Sequence, residues 1–262
     1  LADEEDEFED GEVGKPPPSR LRVACDLYQQ FQRNRIQMRN RESACQRGSD
    51  SDKESEEYFT YWKDKLEELE NETASDVAKL VKRHPAWPWL ARVKGCGPTL
   101  SGRMLALIGD ISTFDTVSKL WRFAGEGMGE YWCEGEKVLC PKEGNVWKKN
   151  ADGVKERERV IPKPPDGAVL RVVRDRQIAG YCSVYSTRLK TTLYLQAASF
   201  IKCNSPYRTI YDQSKAFYTS TKPDWTKNHC HLAAMRKMAK VFLSHVWETW
   251  RKAEGLPTRE VY

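Results

Sequence analysis

Lys94-Gly-Cys-Gly-Pro98 is the segment whose residue types and spacing most clearly carry chemistry. A tight Gly-x-Gly turn between two apolar helical runs lets successive backbone N–H groups approach a phosphate, because a Cβ at either glycine would block both positive φ angles and close approach. Pro98 suits the first turn of the following helix, whose free amides and positive dipole end would face the same anion. Cys96 lies inside the turn, Thr99 follows in the same first helical turn, and Lys94 and Arg103 add charge. Arg35, Arg39, Arg188 and Lys190, on other helical stretches, are the further expected phosphate contacts. Such a site grips a nucleic-acid backbone without reading its sequence. The plain alternative is a turn between helices that needs glycine for packing alone.

A metal site is the second chemistry the residues could support, from Cys133 and Cys140 together with His229-Cys230-His231. The spacing between the two cysteines is wider than in a zinc knuckle. On a helix the two histidines diverge by about 200°, so they converge on one ion only in an extended segment or a cap. His231 is instead expected to pack or hydrogen-bond near a helix start with Asn228 as its cap. No metal or cofactor is therefore predicted, and zinc stays an alternative. Trp87, Trp89, Trp121, Trp225, Trp247 and Trp250 read as core and interface anchors, and Trp132 as the one indole placed to stack on a base.

These residues need elements to position them, and the apolar spacing supplies a mainly α fold. From Arg20 to Arg47 the positions Ala24, Leu27, Phe31, Met38 and Cys45 recur at helical spacing, with Asn34 and Arg41 filling the same stripe. A second helix over roughly 54–84 aligns Tyr58, Trp62, Leu66, Leu69, Thr73, Val77 and Leu80, and Pro85 and Pro88 end it. The two stripes pack on each other as an antiparallel hairpin or meet another copy in a dimeric coiled coil, and a homodimer is expected. Residues 85–257 form a helix-hairpin-helix domain, with helices at 98–108, 116–123, 186–202, 207–218 and 229–252. Within it, 130–175 mixes Val and Ile with Gly, Pro and charges and reads as a small β-rich insertion. Residues 258–262 are a tail.

Charge is uneven along the chain. Residues 1–19 hold eight acids against Lys15, a net of −7, so residues 20–262 carry +12 of a total of +5. An acidic tail closed by Pro16, Pro17 and Pro18 reads as a disordered extension, either a solubiliser or a competitor of nucleic acid for the basic body. The eight scattered cysteines and the lack of an amino-terminal signal-like run point to a reducing, cytoplasmic setting, nucleoid-associated in a prokaryote. No stretch approaches the roughly 18 apolar residues of a membrane span, so no membrane partner is expected.

Several of these motifs together resemble the transposases of insertion sequence family 110, the 116/110/902 group. Their carboxy-terminal domain reads Pro-Gly-Ile-Gly-Pro, then Leu-Leu-Ala-Glu-Ile-Gly-Asp, then Phe and a Tyr-Ala-Gly-Leu turn. This chain has Lys94-Gly-Cys-Gly-Pro98, Met104-Leu-Ala-Leu-Ile-Gly-Asp110, Phe114 and Phe123-Ala-Gly125. Arg188-Leu-Lys-Thr-Thr-Leu-Tyr-Leu195 is similar to the family's arginine-rich helix, Pro206-Tyr-Arg208 through Glu254-Gly-Leu-Pro257 to its terminal segment, and 20–47 to its coiled coil. The resemblance implies DNA binding in recombination of mobile elements, as a transposase-derived or transposase-associated protein. Family enzymes also carry a RuvC-like domain with acidic metal ligands and a serine nucleophile after the Ala-Gly-Leu turn. Here Glu130-Tyr-Trp-Cys-Glu-Gly135 has no serine, leaving Cys133, Ser183 or Ser186 as stand-ins. Leu1 reads as the start of a processed or truncated chain, and strand transfer would need a RuvC-like domain elsewhere or on a partner. An enzyme is the lesser expectation, and a purely structural coiled-coil protein is the other rival.

Overall fold

The computed structural model describes residues 19–47, 53–149 and 155–259; the acidic tail, the Gly48 loop and the last three residues lie outside them. The described chain is mainly α with a small β insertion. Helices α1 (Arg20–Arg47) and α2 (Lys53–Val81) pack along each other as an antiparallel pair. The short α3 (Trp87–Leu90) leads into α4 (Pro98–Ile108) and, after a 3-10 turn at Ile111–Thr113, α5 (Val117–Phe123). Helices α6 (Thr187–Lys202), α7 (Arg208–Thr221) and α8 (Lys227–Ala253) follow the insertion.

α8 is the axis of the core. Ala234, Met238, Phe242, Leu243 and Val246 are fully buried, and Trp247 and Trp250 are nearly so. Leu90, Met104, Leu105, Leu120, Leu189 and Phe200 pack round them from α3, α4, α5 and α6. At about 25 cal/mol per Å2 of apolar surface, burying each of these side chains contributes roughly 1.5–3 kcal/mol, which makes this cluster the main source of stability. Arg251, buried among them, donates to the carbonyls of Ile111, Phe114 and Pro257 and so satisfies its charge on the turn after α4.

Side-chain caps fix three helix starts: Thr116, Ser186 and Thr226 accept from the amides of Lys119, Leu189 and His229. The cap of α8 is thus Thr226 and not the expected Asn228. The threonine is extended (ψ 154°) and its hydroxyl reaches the third residue onward, whereas Asn228 already lies inside the helix.

The insertion contains two small sheets. In one, β1 (Met128–Glu134) lies between β2 (Lys137–Pro141) and β5 (Val169–Arg174), all antiparallel, with a bulge at Trp132 and Cys133. In the other, β3 (Gly144–Lys149) pairs antiparallel with β4 (Lys155–Val160). The second hairpin is tied to the body where the Cys182 amide donates to the Asn145 carbonyl at 2.6 Å.

The α1–α2 pair docks on α4 through Gly102, where an added Cβ would lie 2.8 Å from Val77 Cγ1. Glycine inside a helix costs about 0.5–1 kcal/mol relative to alanine, so this one is explained by helix approach and not by propensity. Cys25, Val77 and Ala106 close that contact.

Candidate nucleic-acid interface

The two glycines of the hairpin turn do different work. Gly95 has φ +98°, and a Cβ there would lie 3.0 Å from Phe200 Cδ1 on α6. Its carbonyl accepts from Gln196 Nε2 and Ser199 Oγ, both at 2.9 Å. Gly95 therefore serves packing and turn geometry. Gly97 has ordinary extended angles (φ −74°, ψ 155°), and a Cβ there would meet nothing within 4 Å. It faces open space at the start of α4, where no side chain caps the helix and Pro98 occupies the first turn. The uncapped amides of that turn, with exposed Lys94 beside them, are available to an anion. Cys96 is buried, and burial pushes its thiol up to about 12, so only its backbone could meet a ligand.

Arg103 continues the strip. It stands four residues after Thr99, on the same face and roughly 6 Å further along the helix. Its Nε is buried with no hydrogen-bond acceptor. Burial first, and then the nearby charge of Arg188, pulls its guanidinium below the usual range. Arg33 adds further positive charge to the same place. The acid beside this cluster is Asp26 of α1, which already receives Arg188 and, at 3.2 Å, Arg22. Burial alone would raise the Asp26 carboxyl, but the two arginines outweigh it and hold it below the ordinary aspartate value.

Past Arg188 the surface opens into a cleft of about 360 Å3 lined by Arg22, Arg157, Ser183, Ser186 and Arg188. Arg157, from β4, also covers the exposed ring of Trp147 at 5.2 Å. Neither Arg22, Arg157 nor Trp147 stands out in the sequence, because each belongs to a different element and only folding brings the two arginines together. Arg22 carries one faint signal, its position four residues before Asp26.

The other expected contacts separate. Arg35 is engaged within the helix pair, donating to Glu70 at 2.5 Å while Gln32 donates to the same carboxylate at 2.9 Å. Arg39 is exposed further along α1. Lys190 is placed over the Tyr185 ring at 4.3 Å and borders a different cavity.

Ser186 caps α6, and Ser183 Oγ donates to the Tyr185 carbonyl. Cys133 is buried in β1, with Trp132 half-buried beside it. The zinc alternative does not assemble: His229 stacks on Trp225 at 3.8 Å, and His231 shares a 2.8 Å hydrogen bond with Tyr211. Among the described residues no three His, Cys, Asp or Glu side chains come close enough to hold a metal ion. Nor is any described helix long and apolar enough to cross a membrane.

Compared with models of known protein families and with curated proteins, the chain matches none.

Proposed function

We propose that this protein binds the phosphate backbone of nucleic acid, duplex DNA in the first instance, along a strip from the Gly95–Gly97 turn through Arg103 to Arg22, Arg157 and Arg188. Arg103 is the observation that carries this reading. A half-buried guanidinium set among other arginines, beside an acid already bridged twice, leaves an excess of positive charge that a phosphate would neutralise. The open side of Gly97 and the uncapped start of α4 offer amides to a neighbouring phosphate on the same helix.

Within this reading the protein is transposase-derived or transposase-associated, a placement that rests on the motifs of the hairpin and terminal helices. Strand transfer would draw its acidic metal ligands from a RuvC-like domain on another segment or partner. Self-association through the helix pair is supported by Tyr58, Trp62, Leu69 and Leu27, which stay at least 40% exposed although they lie on the stripes expected to form a seam.

The test is fluorescence anisotropy with random-sequence duplex, single strand and structured RNA. Arg103→Gln and Arg188→Gln should each weaken duplex binding by about tenfold at low salt, the loss of one charge-assisted hydrogen bond, with unchanged circular dichroism. Folded variants that bind as tightly as the parent would contradict the assignment.

A further inference from the structure

A second cavity, of about 210 Å3, lies between α6, α8, the turn ahead of β1 and the end of β5, with Glu126, Arg174, Lys190, Leu193, Met235 and Arg236 among its walls. Its charge is unbalanced. Glu126, whose side chain is 7% exposed, is met by Arg174 at 3.4 Å and by the positive charges of Lys190 and Arg236, three lining cations against one carboxylate, and Lys240 adds a further positive charge nearby. Burial pulls both Arg236 and Lys240 below their ordinary values. They stand four residues apart on one face of α8. The ammonium groups of Lys190 and Lys240 lie over the rings of Tyr185 and Trp121 at 4.3 and 4.2 Å, which holds both charges in place. The rest of the wall is apolar, from Leu193 and Met235, and Tyr194 at the margin presents a half-exposed ring.

We propose that this cavity binds an organic phosphate with a compact flat body, the chemistry of a single nucleotide, either free or as the unstacked end of a strand. A phosphate monoester carries about −1.5 to −2 charges at neutral pH and matches this excess of positive charge better than a carboxylate does. The apolar wall and the Tyr194 ring suit the face of a base. The volume is below the roughly 300–1,000 Å3 typical of sites for drug-sized ligands, so one nucleotide, partly outside, is the upper limit. Burial holds the Glu126 carboxyl above its ordinary value although the surrounding cations oppose it. The site is separate from the strip around Arg103 and stands or falls independently of it.

The experiment is calorimetric titration of the full chain with adenosine 5′-monophosphate at low salt, with adenosine and inorganic phosphate as comparisons. The nucleotide should bind with a dissociation constant below about 1 mM, and each comparison at least about tenfold more weakly. Arg236→Gln and Lys190→Gln should each reduce nucleotide affinity by about tenfold, and Leu232→Trp, which narrows the cavity without removing a charge, should reduce it similarly. Arg188→Gln should leave nucleotide binding unchanged while weakening duplex binding, which separates this site from the strip. Competition by a 5′-phosphorylated oligonucleotide would identify a strand end as the source, and its failure a free nucleotide; both accord with the proposed chemistry. No binding at about 10 mM nucleotide, or binding unaffected by all three folded cavity variants, would overturn it.

Discussion

Gly95 and Gly97 are two residues apart and have opposite demands, so they separate folding from binding. Gly95→Val places a β-branched side chain at φ +98° and against Phe200, and should lower stability by about 1–3 kcal/mol. Gly97→Val keeps angles valine adopts readily and meets open space, so stability should change by less than about 0.5 kcal/mol. Thermal melts of the two variants beside duplex affinity check this: Gly97→Val should melt like the parent and bind several-fold more weakly. A Gly97→Val variant that binds normally would mean that no phosphate approaches the start of α4 at Gly97. His84 offers a pH test. Burial pushes its imidazole from 6.5 down to about 4, its ring meets Trp250 edge-on at 4.4 Å, and its Nδ1 accepts from the Ala86 amide. Its folded value is depressed, so between about pH 6.5 and 4 the unfolded chain binds more protons, and stability falls as pH drops through that window. His84→Gln should flatten the dependence of melting temperature on pH over that range; an unchanged slope would assign it to other groups. At this scale the sequence is only partly legible. The Gly-x-Gly turn and its basic neighbours are visible in the order of residues, but Arg35 on Glu70 and Arg188 on Asp26 are tertiary pairings, invisible to spacing along one helix.

The helix pair α1–α2 shows what periodicity can and cannot convey. Helical spacing predicts both elements to within a few residues, as it does α4 to α8, because apolar residues at three and four positions mark the face that must be buried. It does not reveal how completely a partner covers that face. Towards α4 the pair is anchored by fully buried Val77 and Val81, whereas Tyr58, Trp62 and Leu69 remain exposed. Midway, Glu70 is held below the usual glutamate range, burial opposing and Arg35 and Gln32 prevailing. Glu70→Leu leaves the Arg35 guanidinium without its acceptor and should cost about 1–3 kcal/mol in chemical unfolding. The uncovered aromatics lead to a second expectation at this scale. In sedimentation equilibrium the parent should be a dimer, and Trp62→Glu with Leu66→Glu should give a folded monomer; a monomeric parent would reject self-association through this face. The insertion was legible only as a class of structure. Its strands are short, and β1 pairs not only with the adjacent β2 but also with β5 much further along the chain, which alternation within one strand cannot foretell.

Among the described residues, cations gather in two places that the net charge of the chain does not locate: from Arg103 to Arg22, Arg157 and Arg188, with Lys94 at the start of α4, and round Glu126 in the second cavity. Net charge announces the first only in sum and says nothing of the second, since a desolvated cation and a solvated one look alike in composition. Phosphate binding along the strip has a direct signature, because neutralised phosphates release counterions and log affinity then falls linearly with log salt, by about 0.9 per phosphate on duplex DNA. If roughly four to six of the strip's cations engage, affinity should fall on the order of a hundredfold to a thousandfold between about 50 and 200 mM salt. The decisive measurement is that salt titration on random-sequence duplex for the parent and for Arg103→Gln with Arg188→Gln. Phosphate binding along the strip predicts a steep line for the parent and a slope shallower by about two in the double variant. A flat line for the parent, or an equal slope in the folded variant, would contradict it.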